Sequence, residues 1–213
     1  MQTGSSVDNR LLRRLGKPLR MTERIVVTPS HGGYLAKEDE LVIKLDSGAA
    51  FGTGTHPTTA LCINMIENYL KKGDVFLDVG TGTGILMIAA SKLGAEKVFG
   101  IDKDQMAVEI ARRNLQLNKI REERFGVRVG HLLDGVRKQF DMVAANILTE
   151  VIAKLLDDMG KVIKKSGIFI CSGMIERNTH RVVAKMKLMG FEIVETRTKE
   201  SWVSIAAKKK EPV

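Results

Sequence analysis

Aromatic residues, cysteines and long apolar runs are scarce in this sequence, and each scarcity narrows its possible functions. Phenylalanine, tyrosine and tryptophan make up 5% of the 213 residues, which weighs against a site that holds a nucleic-acid base by stacking. No apolar run approaches the roughly 18 residues needed to span a membrane, and the first residues lack the apolar core of a signal peptide. We therefore expect a cytoplasmic protein.

The chain contains two cysteines, Cys62 and Cys171, and both lie in apolar helix-like or strand-like patterns. Neither belongs to a Cys-x-x-Cys motif, so the pattern favours buried, reduced thiols over a metal site. With 213 residues, of which 44% are hydrophobic, the chain is long enough to bury one full core.

The net charge of +9 is concentrated at the two ends of the chain. Residues 1–24 contain six basic and two acidic side chains, and the tail from Ala206 contains three lysines and one glutamate. Basic ends can contact RNA, and they are also common as solvated tails of soluble proteins. Both interpretations remain open at this point.

Residues 75–84 form an apolar run that ends in three alternating glycines, after which a helical pattern begins. Alternate glycines allow a sharp turn and let a ligand approach bare main chain, while the following helix offers free N–H groups and the positive end of its dipole. The segment therefore predicts a strand, a nucleotide-binding turn and a helix start. The three glycines are Gly80, Gly82 and Gly84.

The next predicted strand ends at Asp102, which lies 22 residues after Gly80. An acid at this position of a doubly wound sheet can accept both ribose hydroxyls of a nucleotide. The glycine spacing is Gly-x-Gly-x-Gly, preceded by Asp78, and differs from the Gly-x-Gly-x-x-Gly of dinucleotide folds. We interpret the turn as an S-adenosyl-L-methionine site rather than a nicotinamide site. A strand-to-helix turn without a ligand is the alternative.

From the glycine turn onward, helix-like and strand-like segments alternate, which predicts a Rossmann-like α/β fold with helices on both faces of a mostly parallel sheet. The last two predicted strands follow each other without a helix, so one of the seven is expected to be antiparallel. The predicted strands cover residues 75–79, 97–101, 127–130, 140–145, 168–172, 191–196 and 202–207.

Asn146 follows the fourth of these strands, beside the first strand at the switch point of the sheet, where ligands bind. Its side-chain carbonyl and the next backbone carbonyls can accept the hydrogens of an amine and orient its lone pair for in-line methyl transfer. A polar cap at the end of a strand is the alternative interpretation of Asn146.

The loop Ala50–Thr59 contains two glycines, four threonines, a histidine and a proline, and it leads directly into a predicted helix. Thr58 or Thr59 can cap that helix. Alternatively, the loop closes over a ligand and directs a threonine hydroxyl at its charged methionine moiety. His56 is either a ligand contact or a hydrogen-bonding residue that stabilises the loop.

Over about residues 17–207 the sequence resembles the PrmA family, bacterial methyltransferases of ribosomal protein L11. The resemblance implies a class I methyltransferase that uses S-adenosyl-L-methionine. The family's cofactor contacts correspond to Thr59, Gly80, Asp102 and Asn146, and we add Gly82 from the geometry of the turn. The matching segments are Lys17-Pro18, Asp46–Thr59, Asp78–Gly84, Asp102, Asn146-Ile147-Leu148 and the C-terminal strands.

The family normally carries a sizeable N-terminal domain that binds the ribosomal protein, whereas 45 residues precede Asp46 here. We therefore expect a shortened relative, with an N-terminal arm and hairpin-like extension at 1–45 and a catalytic domain at 46–213. The resemblance implies methylation of a lysine or N-terminal amine of a ribosomal protein. We expect Asn146 to be the catalytic residue from its position at the end of the fourth strand, and the charge of the basic ends suggests ribosomal RNA as a further contact.

Two other functions remain open. One is methylation of a different amine, in RNA or in a small molecule; the aliphatic residues after Asn146 and the few aromatics weigh against a base. The other is a non-catalytic factor that binds S-adenosyl-L-methionine during ribosome assembly.

Overall fold

A seven-stranded sheet forms the centre of the structure, a computed structural model that describes residues 17–31, 33–46, 52 and 54–210. The strand order is β6-β5-β4-β7-β8-β10-β9. Strand β10 is antiparallel to both of its neighbours, and the remaining strand pairs are parallel, so the predicted mostly parallel sheet with one antiparallel strand is confirmed. The strands are β4 (Val75–Val79), β5 (Lys97–Asp102), β6 (Phe125–Val129), β7 (Phe140–Asn146), β8 (Ile163–Ile175), β9 (Phe191–Lys199) and β10 (Trp202–Lys209).

Helices cover both faces of this sheet, as the alternating pattern predicts. Three of them pack against one face in a core that includes Ile66, Phe76 and Leu115. The other two pack against the opposite face in a core that includes Leu156, Phe169 and Met186. The helices are α1 (Pro57–Tyr69), α2 (Ile85–Lys92), α3 (Gln105–Leu117), α4 (Thr149–Val162) and α5 (Thr179–Leu188), with short 3₁₀ turns at Glu122–Arg124 and Glu176–Asn178.

A second, three-stranded sheet precedes the large one and corrects the predicted hairpin. It consists of β1 (Leu19–Arg20), β2 (Ile25–Pro29) and β3 (Leu41–Leu45). Strands β2 and β3 pair in parallel, whereas a hairpin requires antiparallel strands. The start of β3 lies beside the start of β2, at the pair Ile25 and Leu41, so the two strands run in the same direction, and β1 is the antiparallel partner of β2 instead.

The cysteines agree with the sequence-based expectation, since Cys62 and Cys171 are both buried and unbonded to each other. Burial raises the pKa of the Cys62 thiol to about 12, with a smaller contribution from the charge of Asp78. No helix within the described ranges is long and apolar enough to cross a membrane. The predicted N-terminal arm lies largely in residues 1–16, outside the described part of the chain.

Candidate active site

A cavity of about 490 Å³ opens at the carboxyl ends of β4, β5 and β7. Four of the five residues predicted from the sequence line it, namely Gly80, Gly82, Asp102 and Asn146. The fifth, Thr59, lies behind Asn146 instead. Parallel strands end at the same edge of a sheet, which is why residues far apart in the sequence meet in one cavity.

The glycine turn has the backbone conformation that its sequence predicts. Gly80, Gly82 and Gly84 have φ values of +76°, +54° and +80°, in the region where side chains are strained. The N–H of Gly80 donates to the carbonyl of Ile101 over 2.8 Å, which ties the turn to the neighbouring strand β5. The turn therefore presents bare main chain to the cavity.

Asp102 is the acidic group at the end of β5, and both of its oxygens bond to backbone. Oδ2 accepts from the N–H of Gly82 at 2.9 Å, and Oδ1 accepts from the N–H of Asp104 at 3.1 Å. A carboxylate oxygen has more than one acceptor site, so the half-buried Asp102 can accept further donors from the cavity while its position is fixed by the turn.

Asp78 lies in β4, two residues before Gly80, and is 1% exposed. Its Oδ2 accepts from the hydroxyl of Thr81 at 2.8 Å, and its Oδ1 has no hydrogen-bond partner among the described residues. Burial, opposed by the Thr81 hydrogen bond and reinforced by the charge of Asp102, raises the pKa of Asp78 to about 7. A buried acceptor of this kind is costly unless a donor satisfies it.

Asn146 ends β7 and faces the cavity, with Thr59 behind it. The amide nitrogen of Asn146 lies 3.5 Å from the hydroxyl oxygen of Thr59, near the longest distance for a hydrogen bond. Thr59 is 0% exposed. With its amide nitrogen directed at Thr59, Asn146 has its carbonyl oxygen available for a ligand.

His56 caps helix α1, so the predicted cap at Thr58 or Thr59 is wrong by two or three positions. Its ring nitrogen Nδ1 accepts from the backbone N–H of Thr58 and lies 2.7 Å from the Thr58 hydroxyl. The ring also contacts the edge of Trp202, with 4.7 Å between centroids. Both rings line the cavity, so the histidine stabilises the loop at a position that a ligand can reach.

Asn114 was missed by the sequence analysis, although it connects the glycine turn to the segment after β3. This fully buried side chain bonds to both the N–H and the carbonyl of Asp46, at 2.9 and 3.0 Å, and to the carbonyl of Thr83 at 2.9 Å. It thus connects the end of β3 to the glycine turn. An asparagine between Ala111 and Leu115, on the apolar side of a helix, is the signal that could have identified it.

Comparison with known proteins identifies the family of this chain. The family model described as ribosomal protein L11 methyltransferase (PrmA) matches residues 12–210. The chain belongs to the PrmA family. A PrmA protein of Desulfosudis oleivorans, named ribosomal protein L11 methyltransferase, is 48% identical over 192 residues, which cover 89% of this chain and 64% of the relative. The chain thus spans less than two thirds of the length of this curated PrmA relative.

Solved structures support the same grouping. The ribosomal protein L11 methylase of Lactobacillus delbrueckii subsp. bulgaricus superimposes with a TM-score of 0.86 at 30% identity, covering 91% of this chain and 99% of that one. A putative methyltransferase solved as a complex with SAH has a TM-score of 0.61 at 11% identity and covers 73% of this chain and 50% of its own, which shows a shared fold. Together these relatives confirm the class I methyltransferase fold predicted for this PrmA chain.

Proposed function

We propose that this chain is the catalytic part of an S-adenosyl-L-methionine-dependent N-methyltransferase that acts on a ribosomal protein of the L11 type. The observation that carries the proposal is the single cavity that joins a nucleotide-type turn, with Gly80, Gly82 and Asp102, to the amine-orienting side chain Asn146. Transfer between two bound molecules requires both binding regions to open into one space.

The residues of the cavity fit S-adenosyl-L-methionine. Asp102 suits the ribose hydroxyls because it is a positioned carboxylate, and the glycines with positive φ suit close approach of a nucleotide to the main chain. Asp78 is not among the residues that line the cavity, but it lies two residues before Gly80, and its buried carboxyl oxygen without a donor complements a positively charged methionine moiety bound at the turn. The cofactor, when bound, supplies an electrophilic methyl group. Thr59 contributes to cofactor binding through Asn146, whose amide nitrogen donates a hydrogen bond to the Thr59 hydroxyl.

The acceptor is an amine, because Asn146 provides a carbonyl oxygen and not a base. A lysine must lose its proton before it attacks, although its free pKa is near 10.4. An apolar wall formed by Ile147, Leu148 and Trp202 disfavours the charged ammonium, and the carbonyl of Asn146 accepts a hydrogen of the neutral amine. Leu148 is 67% exposed, so this wall reaches the protein surface, where a substrate protein approaches.

A ribosomal protein is the acceptor class that the family names support, with RNA, a small amine and a non-catalytic role as less favoured alternatives. Because ribosomal proteins are made in the cytoplasm, we propose that the protein acts there. Contact of the basic ends with ribosomal RNA and the division into an N-terminal extension and a catalytic domain at residue 46 remain proposals.

The test is transfer of labelled methyl groups from S-adenosyl-L-methionine to purified L11, ribosomal RNA and small amines, offered separately. We expect label on L11 and loss of that label in Asp102→Ala at limiting cofactor. Label on RNA or on a small amine alone would overturn the acceptor, and cofactor binding without transfer to any acceptor would support the non-catalytic alternative.

A further inference from the structure

Ile147, the residue after Asn146, is enclosed between Gly80 of the glycine turn and Gly173 of β8. A Cβ atom placed on Gly80, in the cofactor turn, would lie 2.6 Å from Cγ2 of Ile147. A Cβ atom placed on Gly173, in β8, would lie 2.2 Å from the Ile147 carbonyl oxygen and 2.9 Å from its carbonyl carbon. The Ile147 side chain therefore contacts the cofactor turn, and its backbone contacts β8.

The contact with Gly173 involves backbone on both sides, so no rotamer change can relieve an added methyl group. Strand β8 lies between β7 and β10, and Gly173 lies just past the last β7–β8 pair, Asn146 with Ser172, where the pairing of β8 with β10 shifts register. Ile147 lies just past the end of β7, and its N–H donates to the carbonyl of Ser172 at 3.1 Å. A methyl group added at Gly173 would therefore press directly on the backbone of the residue that follows Asn146.

We propose that the Ile147 clamp, formed by Gly80, Ile147 and Gly173, positions Asn146 relative to the cofactor turn, so that Ile147 and Gly173 are positioning residues for methyl transfer. The proposal rests on the proposed function. The clamp makes the location of the amine-orienting side chain depend on the same turn that holds the cofactor. A displacement of about 1 Å at a reacting group can cost on the order of a hundredfold in rate.

The matched pair Gly173→Ala and Gly73→Ala tests the clamp. Both glycines have φ of +93°, but a Cβ atom at Gly73 meets nothing within 4 Å, so the two variants share backbone strain and differ in the contact. We expect kcat to fall about a hundredfold in Gly173→Ala. The Kd for S-adenosyl-L-methionine should change in this variant by a factor several times smaller than the change in kcat. Gly73→Ala should retain the wild-type kcat. Equal kcat values in the two variants would overturn the proposal.

Two further measurements test the clamp if the Gly173→Ala variant does not fold or if the proposed function is wrong. If Gly173→Ala does not fold, Ile147→Ala replaces it in the test, and its kcat should fall. The kcat should largely recover in Ile147→Val, which keeps the Cγ atom against Gly80. An unchanged kcat in Ile147→Ala would overturn the clamp. If the wild-type protein transfers no methyl group, the proposed function fails, and crystal structures of Gly173→Ala and wild type decide. A shift of Asn146 supports the clamp, and a shift of β8 alone overturns it.

Discussion

The carboxylate of Asp102 accepts a hydrogen bond from the backbone N–H of Gly82, with 2.9 Å between Oδ2 and the nitrogen. This bond joins the two features from which the sequence predicted a nucleotide site, the glycine turn and the acid of the next strand. It fixes the carboxylate at the wall of the cavity, where it can accept the hydroxyls of a ribose.

Replacement of Asp102 by alanine should weaken the binding of S-adenosyl-L-methionine by about ten- to a hundredfold. Loss of a hydrogen bond to a charged acceptor costs roughly 1.5–3 kcal/mol, and 1.4 kcal/mol corresponds to tenfold. Calorimetric titration measures the change. The matched control is Asp104→Ala, which removes a nearby carboxylate that caps α3 and does not line the cavity. An Asp102→Ala protein that binds as tightly as this control would contradict the ribose assignment.

Replacement of Asn114 by alanine should destabilise the protein by about 3 kcal/mol. The change leaves the buried carbonyl of Thr83 without its partner, which costs roughly 1–3 kcal/mol, and also removes two part-buried hydrogen bonds to the backbone of Asp46. Urea unfolding measures the free energy. Asn118→Ala is the control, since Asn118 bonds in the same way to the exposed backbone of Lys44 and should cost about 1 kcal/mol. Equal losses would contradict a buried structural role for Asn114.

The raised pKa of Asp78 predicts how the free energy of unfolding depends on pH. Its pKa is about 7 in the folded protein because of burial, above the value of 3.8 for a free aspartate. The folded state therefore binds the proton more tightly, and the free energy of unfolding should fall as the pH rises from about 4 to about 7. Urea unfolding across this range should show that slope in the wild type. The slope should be smaller in Asp78→Asn, and an identical slope in both proteins would show that Asp78 is not responsible.

Binding of S-adenosyl-L-methionine should reduce the dependence of the free energy of unfolding on pH. A positively charged ligand group near Asp78 favours the ionised carboxylate, so proton release should accompany binding near neutral pH. Calorimetry in buffers of different ionisation enthalpy measures the number of protons released. We expect a release in the wild type and none in Asp78→Asn, and proton uptake by the wild type would contradict the account.

Much of the fold and of the site follows from local sequence patterns. The strand before Gly80 is an apolar run that leads into the glycine turn. The strands that end at Asp102 and Asn146 are apolar runs with a polar residue at the end, and parallel topology brings the three ends together. The glycine spacing predicts the positive φ values that the turn has.

Other features depend on contacts between distant segments, which no local pattern encodes. The parallel pairing of Ile25–Pro29 with Leu41–Leu45 depends on the path of the intervening loop, so strand-like sequence alone could not exclude a hairpin. Gly173 has no sequence signal of its own, because its small size is required by the backbone of Ile147, 26 positions away. Thr59 is placed behind Asn146 by the start of α1, which His56 caps.

The most direct test of the proposed function compares wild type and Asn146→Ala for methyl transfer to L11 and for binding of S-adenosyl-L-methionine. The account predicts transfer to L11 by the wild type and a loss of about a hundredfold or more in kcat for Asn146→Ala, since the variant no longer orients the amine. Cofactor affinity should fall by a much smaller factor, because the glycine turn and Asp102 remain. An Asn146→Ala protein that methylates L11 at the wild-type rate would contradict the assignment of Asn146 as the residue that orients the acceptor.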